Sequence, residues 1–372
     1  MTTFKALGIT PAYVKALKEL DITTPTEIQA EVIPVLLKTK TDLVGLAQTG
    51  TGKTAAFGLP LLRTVDPEKP EVQGLIIAPT RELVQQIQKQ LFRFTKYIDK
   101  PIFAEGVYGG EKITRQIKAL TRPTHIVVAT PGRLLDLIER KAVNISNVKT
   151  LVLDEADEML SMGFQEDLTK ILSYNKSKRN TWLFSATMPT GIKQIVKAYM
   201  APDAVRIAVN KNALVNENIS HFFVNTKIKD KVNVILRLLR QRKGERGIVF
   251  CRTKAGTRKL AKQLQDKGVS AGALEGDMHQ KDRDKVMRAF RKNRLQVMVS
   301  TDVSARGIDV NNLSFVIHHQ LPDYLDYYTH RSGRTARAGK TGQSIALIIS
   351  GEMNKVVETQ KALGIKFREM TV

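Results

Sequence analysis

The segment LVGLAQTGTGKT, residues 43–54, indicates a strand–loop–helix unit. Its apolar start predicts a β-strand, its glycine-rich centre a tight loop, and the residues after it the beginning of a helix. Residues 47–54 match the GxxxxGK[ST] phosphate-loop pattern, with Ala47 at the first position. Gly50 and Gly52 let the backbone curl until several N–H groups face one oxyanion. The other loop positions that would line a bound nucleotide are Gln48, Thr49 and Thr51.

The end of this loop carries two polar side chains that suit a triphosphate. Lys53 can reach the β- and γ-phosphates, and Thr54 can ligate Mg²⁺. The alternative is a glycine-rich strand–helix turn that binds nothing. The apolar strand before the loop and the helical pattern after it favour the nucleotide, so we predict an ATP and Mg²⁺ site here.

A second motif, TLVLDEADEML at residues 150–160, places four acidic residues directly after an apolar strand. Such a cluster repels itself unless a cation is present. Asp154 stands where a carboxylate would hold the Mg²⁺ shell, and Glu155 is then the group that orients or deprotonates the attacking water. A helix N-terminus that favours acidic residues would explain Asp157 and Glu158, but not Asp154 at the strand end. Together the two motifs predict a nucleoside triphosphatase.

Short apolar runs alternate with helical patterns along the whole chain. Near-continuous apolar strands between helices predict parallel sheets covered on both faces. The alternation pauses over the polar, Asn-rich residues 210–219, which we interpret as a linker between a domain of residues 1–209 and a domain of residues 220–372. The predicted strands are TDLVGLA, GLIIAPT, HIVVAT, TLVLDEAD, TWLFSAT and VRIAV in the first domain, and HFFVNT, RGIVFC, AGALEG, QVMVST, FVIHHQL and SIALIIS in the second.

The formal net charge is +23, and it is uneven: residues 1–210 carry +7 and residues 211–372 carry +16. A soluble basic protein is one interpretation; a polyanionic partner such as nucleic acid is the other, and we favour it. The single cysteine excludes an intrachain disulfide and a cysteine-based zinc site. No run is apolar enough to span a membrane, and no secretory signal is evident. These features predict a cytoplasmic protein.

Residues 154–157 spell DEAD, and the surrounding motifs resemble the DEAD-box family of ATP-dependent RNA helicases over essentially the whole chain. The resemblance implies two tandem RecA-like α/β domains. Upstream, ITTPTEIQ at residues 22–29 looks like the family's Q motif, in which Gln29 would read the adenine edge while Phe4 and Ile22 would pack near the base. The wording of the motifs is nearest the bacterial DeaD-type cold-shock branch, and the chain stops close to where the helicase core should end, so we expect the core only.

The resemblance also implies which residues contact RNA and which relay the state of the ATP site. Each offers a hydroxyl, a backbone N–H at a helix start or an arginine, all suited to a phosphodiester backbone. Taken singly, such turns are more often helix caps. The implied RNA contacts are Pro79, Thr80, Arg81, Gly110, Thr130, Arg133, Arg252, Thr253, Gln280, Arg283 and Thr301, and the implied coupling residues are Asp157, Ser185, Thr187 and His330.

HRSGRTARAGK, residues 330–340, is a basic stretch in a domain that has no second phosphate loop. On composition alone it is a phosphate-backbone surface. The resemblance instead implies that Arg334 and Arg337 are arginine fingers that sense the γ-phosphate, with Gly307 and Asp309 on the nucleotide side. An arginine finger raises the rate by a factor of about 10³–10⁵ in related enzymes.

Four residues depart from the family pattern. Asp21 and Ala336 stand where glycine is usual, Glu275 where histidine often precedes Gly-Asp, and Ser332 where an aliphatic residue is usual. None removes a charge that the chemistry needs, so we expect an active enzyme.

The sequence therefore predicts an RNA-stimulated ATPase, expected as a monomer and without membrane contact, that closes two domains on ATP and RNA, bends one strand and unwinds duplex locally. RNA binding should be largely independent of sequence and sensitive to salt. An ATP-gated RNA clamp with little unwinding is the alternative. A DNA-directed helicase and an ATPase unrelated to nucleic acid fit the motifs less well.

Overall fold

The computed structural model describes residues 2–48, 50–174, 179–209, 216–305, 313–336 and 340–372. The chain divides into two compact units, Met1–Val209 and Asn210–Val372. Residues 210–215 of the predicted linker lie outside the described residues. We refer to the two compact units as unit 1 and unit 2.

Unit 1 is built on a seven-stranded sheet in the order β3-β4-β2-β5-β6-β1-β7. Neighbouring strands pair in parallel throughout. The strands are β1 Leu43–Leu46, β2 Gly74–Ile77, β3 Ala104–Val107, β4 Ile126–Ala129, β5 Thr150–Leu153, β6 Asn180–Ser185 and β7 Val205–Ala208. The helices are α1 Pro11–Glu19, α2 Glu27–Lys38, α3 Lys53–Thr64, α4 Arg81–Phe94, α5 Ile113–Leu120, α6 Pro131–Glu139, α7 Ala156–Ser161, α8 Gln165–Tyr174 and α9 Thr190–Tyr199.

Unit 2 has a sheet of the same size in the order β10-β11-β9-β12-β13-β8-β14, again parallel. Its strands are β8 Ile219–Asn225, β9 Gly247–Phe250, β10 Ala271–Leu274, β11 Val297–Ser300, β12 Phe315–His318, β13 Gly342–Ile348 and β14 Phe367–Glu369. Its helices are α10 Lys231–Gln241, α11 Lys254–Asp266, α12 Gln280–Arg291, α13 Asp302–Ala305, α14 Leu325–Ser332 and α15 Met353–Leu363.

The two units repeat one topology, because counting strands from the start of each unit gives the same order, 3-4-2-5-6-1-7. This confirms the predicted class of two parallel α/β sheets flanked by helices. All twelve predicted strands are present. The two that the sequence analysis missed are β3 and β14, and both lie at the edge of a sheet. Their sequences, AEGV and FRE, contain charged residues because an edge strand is only partly covered.

Side chains that alternate along each strand build a separate hydrophobic layer on each face of the sheet. In β2, Ile76 belongs to the layer under α3 and α4, whereas Ile77 belongs to the layer under α6 and α8. In β9, Val249 and Phe250 likewise face opposite layers. Because both faces are covered, the strands read as continuous apolar runs, and their carboxyl ends are left as the place where polar residues can gather.

Asp21 and Ala336, which stand where glycine is usual, both adopt the left-handed backbone conformation, with φ of 57° and 55°. An L-residue pays about 1–2 kcal/mol for this conformation, whereas glycine adopts it freely. The departures from the pattern therefore retain the backbone shape that glycine would give and add local strain.

We predict that Ala336→Gly leaves the free energy of unfolding close to that of the parent, because relief of the left-handed strain offsets both the entropy that glycine adds to the unfolded chain and the loss of a methyl group buried in a hydrophobic cluster of unit 2. The matched control is Ala261→Gly in the middle of α11, which should lower stability by about 1 kcal/mol or more. Urea denaturation measures both. Destabilisation by Ala336→Gly of the same size as the control would contradict the strain.

Candidate nucleotide and RNA sites

The phosphate loop runs from the end of β1 to the start of α3, as the sequence predicts. Gly50 and Gly52 both have positive φ, 84° and 89°, which a residue with a Cβ rarely adopts. Lys53 begins α3, is 6% exposed and donates from Nζ to the Ala47 carbonyl at 3.0 Å. The lysine ammonium therefore lies inside the curl of its own loop. Thr54 follows on the first turn of α3, and Thr49 lies outside the described residues.

The Q-motif side chains support this loop directly. Gln29 accepts from the Thr26 backbone N–H at 3.0 Å and donates from Nε2 to the Gly52 carbonyl, also at 3.0 Å. Thr26 donates its hydroxyl to the Thr51 carbonyl at 2.8 Å. A Cβ on Gly52 would lie 2.3 Å from Gln29 Nε2, so this position has no room for a side chain. The structure thus gives Gln29 a part in holding the loop; adenine recognition stays a prediction.

The two residues expected to pack near the base lie close to the first helices of unit 1. Phe4 is 2% exposed and belongs to the hydrophobic layer that also contains residues of α1 and α2. Ile22 is partly buried and packs against the same layer. Contact of Phe4 and Ile22 with a base stays a prediction.

The acidic motif follows β5, and its residues are buried. Asp154 is 3% exposed, and its Oδ1 accepts from the Glu155 backbone N–H at 3.0 Å. Burial raises the pKa of the Asp154 carboxyl to about 7, the Lys53 ammonium opposes this shift, and the Glu155 and Asp157 carboxylates add to it. Glu155 adopts the left-handed conformation at φ 51°. Its Oε2 is buried and has no hydrogen-bond partner among the described residues.

These observations fit a divalent cation held with the substrate. A buried carboxyl whose charge is disfavoured by neighbouring carboxylates gains most from an added positive charge. Across the described ranges, no group of three or more histidine, cysteine, aspartate or glutamate side chains could hold a metal by itself. Mg²⁺ commonly takes one or two protein ligands and completes its shell with water and phosphate oxygens. Thr54 and Asp154 fit that part.

Asp157 joins the acidic motif to the SAT motif, residues 185–187, at the end of β6. Its Oδ2 accepts from the backbone N–H groups of Ala186 at 3.2 Å and Thr187 at 2.9 Å, and from the Thr187 hydroxyl at 2.9 Å. The Asp157 backbone N–H donates to Ser185 Oγ at 3.2 Å. The Ser185 carbonyl in turn accepts a hydrogen bond from the Ala47 N–H of the phosphate loop at 3.0 Å. The three strand ends thus share one hydrogen-bonded chain.

The predicted RNA contacts of unit 1 lie at the starts of α4 and α6. Thr80 caps α4, where its Oγ1 accepts from the Leu83 N–H at 3.3 Å. Arg133 is mostly buried and donates to Gln116 Oε1 at 2.7 Å and to the Glu111 carbonyl at 3.2 Å. Its guanidinium therefore fixes the loop after β3. The others are placed nearby: Pro79 is buried after β2, Arg81 lies over the Tyr108 ring, Gly110 has φ 82°, and Thr130 precedes α6.

In unit 2 the predicted RNA contacts also follow strand ends. Thr253 caps α11 by accepting from the Gly256 N–H at 3.0 Å, and Arg252 pairs with Asp323 at 2.8 Å. Gln280 begins α12 and donates to Asp284 at 2.6 Å. The remaining two are Arg283, which donates to the Ser304 carbonyl at 2.9 Å, and Thr301, which is buried after β11.

The arginine-rich motif is held by an ion pair that the resemblance does not single out. Arg331 donates from Nε and Nη2 to both oxygens of Asp302, at 2.5 and 2.7 Å, and from Nη1 to the Gln320 carbonyl at 3.0 Å. Arg334 follows α14 and is 6% exposed. His330 lies in the last turn of α14. Gly307, Asp309 and Arg337 lie outside the described residues.

Behind Arg331 lies a buried polar cluster that sequence reasoning missed. His221 Nδ1 is 2.7 Å from Tyr328 Oη, which is 3.2 Å from Ser344 Oγ. Ser344 Oγ also lies 2.9 Å from His318 Nε2 and 2.9 Å from Ser332 Oγ. The one available signal was Ser332, because a hydroxyl at a normally aliphatic, buried position needs a partner. The other members are isolated in the sequence.

Both histidines of this cluster are held neutral. Burial lowers the pKa of His221 to about 4. Burial also lowers the pKa of His318 well below its ordinary value, and the nearby charges of Arg331 and His221 add to the shift. His318 Nδ1 lies 3.4 Å from Arg331 Nη1, so a proton on this ring would face the guanidinium directly.

Glu275, the remaining departure, is also buried and paired. Its Oε1 accepts from Arg258 at 2.8 Å, and its Oε2 accepts from the Asp277 N–H at 2.6 Å. The carboxylate therefore ties the loop before α12 to α11.

Two family models match the chain, one within each unit. Residues 26–195 match the DEAD/DEAH box helicase model, and residues 230–339 match the helicase conserved C-terminal domain model. No helix among the described residues is long and apolar enough to cross a membrane.

Two bacterial proteins illustrate the sequence similarity. An ATP-dependent RNA helicase, CshA, of Limosilactobacillus reuteri is 43% identical over 98% of this chain and 72% of its own length. The DEAD-box ATP-dependent RNA helicase CshA of Bacillus subtilis is 40% identical over 100% of this chain and 75% of its own length.

Two solved structures illustrate the structural similarity. Dbp5 of S. cerevisiae bound to RNA and ADP BeF3 gives a TM-score of 0.91 at 29% identity, covering 100% of this chain and 96% of that chain. Mss116p bound to ssRNA and AMP-PNP gives a TM-score of 0.89 at 29% identity, covering 100% and 80%.

We predict that unit 2 loses stability as the pH falls from about 6.5 towards 4. The folded pKa of His221 lies below its unfolded value, so the unfolded state binds more protons in this window and unfolding becomes easier. For His221 alone the loss is about 1.4 kcal/mol by pH 5.5. This loss is measured as the shift in the urea concentration at which the amides of β8 and β12 become exposed. Pulsed hydrogen exchange monitors those amides, and the experiment is repeated between pH 8 and 5.5.

Two variants separate this histidine from the others. His221→Gln should show a smaller pH dependence than the parent, whereas His279→Gln, at an exposed histidine before α12, should match the parent. Equal pH dependence in all three proteins would show that His221 is not the source.

Proposed function

Because this chain belongs to the DEAD-box family of ATP-dependent RNA helicases, we propose that it couples ATP hydrolysis to the bending of one RNA strand and the local unwinding of duplex. The family's members hydrolyse ATP, and unit 1 of this chain carries the phosphate loop, the acidic motif and the Q motif.

The observation that carries the proposal is the hydrogen-bonded chain through Asp157. The acidic motif, the SAT motif and the phosphate loop meet in it, since Asp157 binds Ala186 and Thr187, and Ser185 binds Ala47. A change at the phosphates of bound ATP can therefore be transmitted to the SAT backbone through direct hydrogen bonds. This supports a coupling role for Asp157, Ser185 and Thr187.

Hydrolysis would use Lys53 and Glu155. Lys53 would exchange its bond to the Ala47 carbonyl for a phosphate oxygen of ATP, which keeps the ammonium paired in both states. Glu155, whose buried Oε2 has no partner in the described part of the chain, would orient the attacking water and accept its proton. Mg²⁺, held by Thr54 and Asp154 together with the substrate, would neutralise charge that develops on the phosphates.

RNA would lie along the loops that carry the predicted contacts, with phosphate rather than base recognition. Thr80 and Thr253 cap helices whose first N–H groups can face a phosphate, and Arg133 and Glu275 hold the loops beside those helices in position. Backbone contacts of this kind make binding largely independent of sequence. This supports RNA as the partner and explains the strongly basic unit 2.

The arginines after α14 would complete the cycle. ATP and RNA would favour a closed state in which Arg334 and Arg337 reach the γ-phosphate, and loss of phosphate would remove that preference. The pair between Arg331 and Asp302 fixes the start of this segment, which supports a precisely placed finger. Arginine suits the role because its planar fork holds phosphate oxygens and keeps its charge.

One experiment tests the proposal as a whole. ATP turnover and strand release are measured on the same short RNA duplex with a single-stranded extension. The proposal expects both, with release dependent on ATP. RNA-stimulated turnover without any strand release would support the clamp instead, and would overturn the unwinding step.

Substitution of the water-activating group gives a sharper prediction. Glu155→Gln should lower the ATP turnover rate by a factor of about 10²–10⁴, because a positioned general base contributes a factor of that size. ATP-dependent RNA retention should persist. Glu158→Gln is the matched control, the same change on a buried glutamate three residues on, and should stay within about threefold of the parent. Turnover at the parent rate in Glu155→Gln would remove this residue from the mechanism.

The hydrogen-bonded chain through Asp157 is tested by removing its hydrogen bonds in steps. Asp157→Ala loses three hydrogen bonds accepted from Ala186 and Thr187 and a fourth accepted from the Glu158 N–H, whereas Thr187→Val loses only the hydroxyl bond and keeps the backbone bonds. We expect strand release per ATP hydrolysed to fall strongly in the first and about a few-fold in the second. Parent-like release per ATP in Asp157→Ala, in a protein that still folds by circular dichroism, would contradict the relay.

A further inference from the structure

Helix α12 carries a line of exposed basic side chains on one face. Lys281, Lys285, Arg288 and Lys292 follow one another at intervals of four, three and four residues. At 100° per residue these positions fall within about 60° of one another on the helix. Lys292 caps the helix, and its N–H still bonds the Arg288 carbonyl. We call these four residues the α12 stripe.

The stripe points away from the sheet. The opposite side of α12 buries Met287 and Phe290 against the hydrophobic layer of β9, β10 and β11. This packing fixes the helix, so the four head groups are displayed on a rigid support. The segment from Gln280 to Arg294 holds seven basic and two acidic residues, a net charge of +5.

Such an arrangement costs stability, because like charges three or four residues apart on a helix repel by a few tenths of a kcal/mol per pair. Helix α11, which packs on the other face of the sheet, avoids this cost by pairing. There Lys254 contacts Asp277, Arg258 contacts Glu275 and Lys262 contacts Asp266. Within the residues that the structure describes, the α12 stripe has no ion pair of this kind.

The stripe begins beside the predicted RNA contacts. Gln280 and Arg283 lie in the first turn of α12, and Arg283 bonds the Ser304 carbonyl just after Thr301. From Lys281 to Lys292 the helix rises about 16 Å, so the basic line leads away from these residues over several nucleotides' length. It contains no aromatic side chain, so base stacking is absent and phosphate is the chemistry it can recognise.

We propose that the α12 stripe is a second binding surface for the phosphodiester backbone of RNA, engaging the part of the substrate that extends beyond Gln280, Arg283 and Thr301. The inference rests on the proposed RNA-helicase function. Each lysine or arginine that neutralises a phosphate releases counterions and strengthens binding without reading sequence. The stripe would thereby anchor unit 2 on longer RNA.

The test compares two triple variants that remove equal charge from opposite faces of unit 2. The first is Lys285→Gln, Arg288→Gln and Lys292→Gln, with Lys281 kept because it adjoins Gln280. The control is Lys259→Gln, Lys262→Gln and Lys267→Gln in and just after α11. Glutamine is a good helix former, so both proteins should fold.

RNA affinity is measured against salt concentration for a single strand of about ten nucleotides and for a strand of about thirty. For the longer RNA, the slope of log affinity against log salt should fall by about 2–3 in the first variant and by less than about 1 in the control. For the shorter RNA both should resemble the parent. Saturating RNA should restore the parent ATP turnover rate, so only the RNA concentration that gives half-maximal stimulation rises.

Equal slopes in the two triple variants, or an unchanged slope in the first, would overturn the inference and leave the stripe as a solvated face or a contact for an acidic protein. The proposed function fails separately, if RNA does not stimulate the ATPase of the parent. A reduced slope in the first variant would still support the stripe as an RNA contact.

Discussion

The parallel pairing of β1, β5 and β6 is the constraint on which the candidate catalytic site depends. These strands are neighbours in the sheet, in the order β5-β6-β1, and all end at the same edge. Adjacent strands lie about 4.8 Å apart, so the phosphate loop, the acidic motif and the SAT motif meet although some 140 residues separate the first from the last. The Ala47–Ser185 and Asp157–Thr187 hydrogen bonds are the direct result. The same strand order recurs in unit 2, where predicted RNA contacts gather at the corresponding edge.

The candidate catalytic site holds carboxylates close together, and a bound cation would relieve their mutual repulsion. Asp154 and Glu155 are buried side by side, with Lys53 as the nearby positive charge that opposes the rise in the Asp154 pKa. Burial of like charges is unfavourable unless cations share the site, so bound ATP and Mg²⁺ would find groups already arranged for them. Unit 2 solves a similar problem differently: its buried histidines stay neutral, and Arg331 is neutralised by Asp302. Arg331 of unit 2 is thus paired within the protein, whereas Glu155 Oε2 in the candidate catalytic site has no hydrogen-bond partner among the described residues.

Sequence reasoning recovered the strands that carry motifs, because buried parallel strands are continuous apolar runs bounded by polar loops. It could not recover β3, whose AEGV sequence is partly exposed at the sheet edge, nor the order of strands. It also missed contacts between distant residues of ordinary type, such as His221 with Tyr328 across 107 positions. For Arg133 the contact with RNA stays a prediction, and the structure adds hydrogen bonds from its guanidinium to Gln116 and Glu111 that the motif does not reveal. Motifs specify which residues gather, whereas packing decides what each side chain holds.

Coupling of ATP hydrolysis to RNA is best tested by the ATP turnover rate of the parent chain without nucleic acid, with a single-stranded RNA and with a DNA of the same sequence and length. A coupled RNA helicase should turn over slowly alone, rise several-fold or more with RNA, and respond little to DNA. A rate that is the same in all three conditions, or that rises equally with DNA, would contradict the coupling of ATP hydrolysis to RNA.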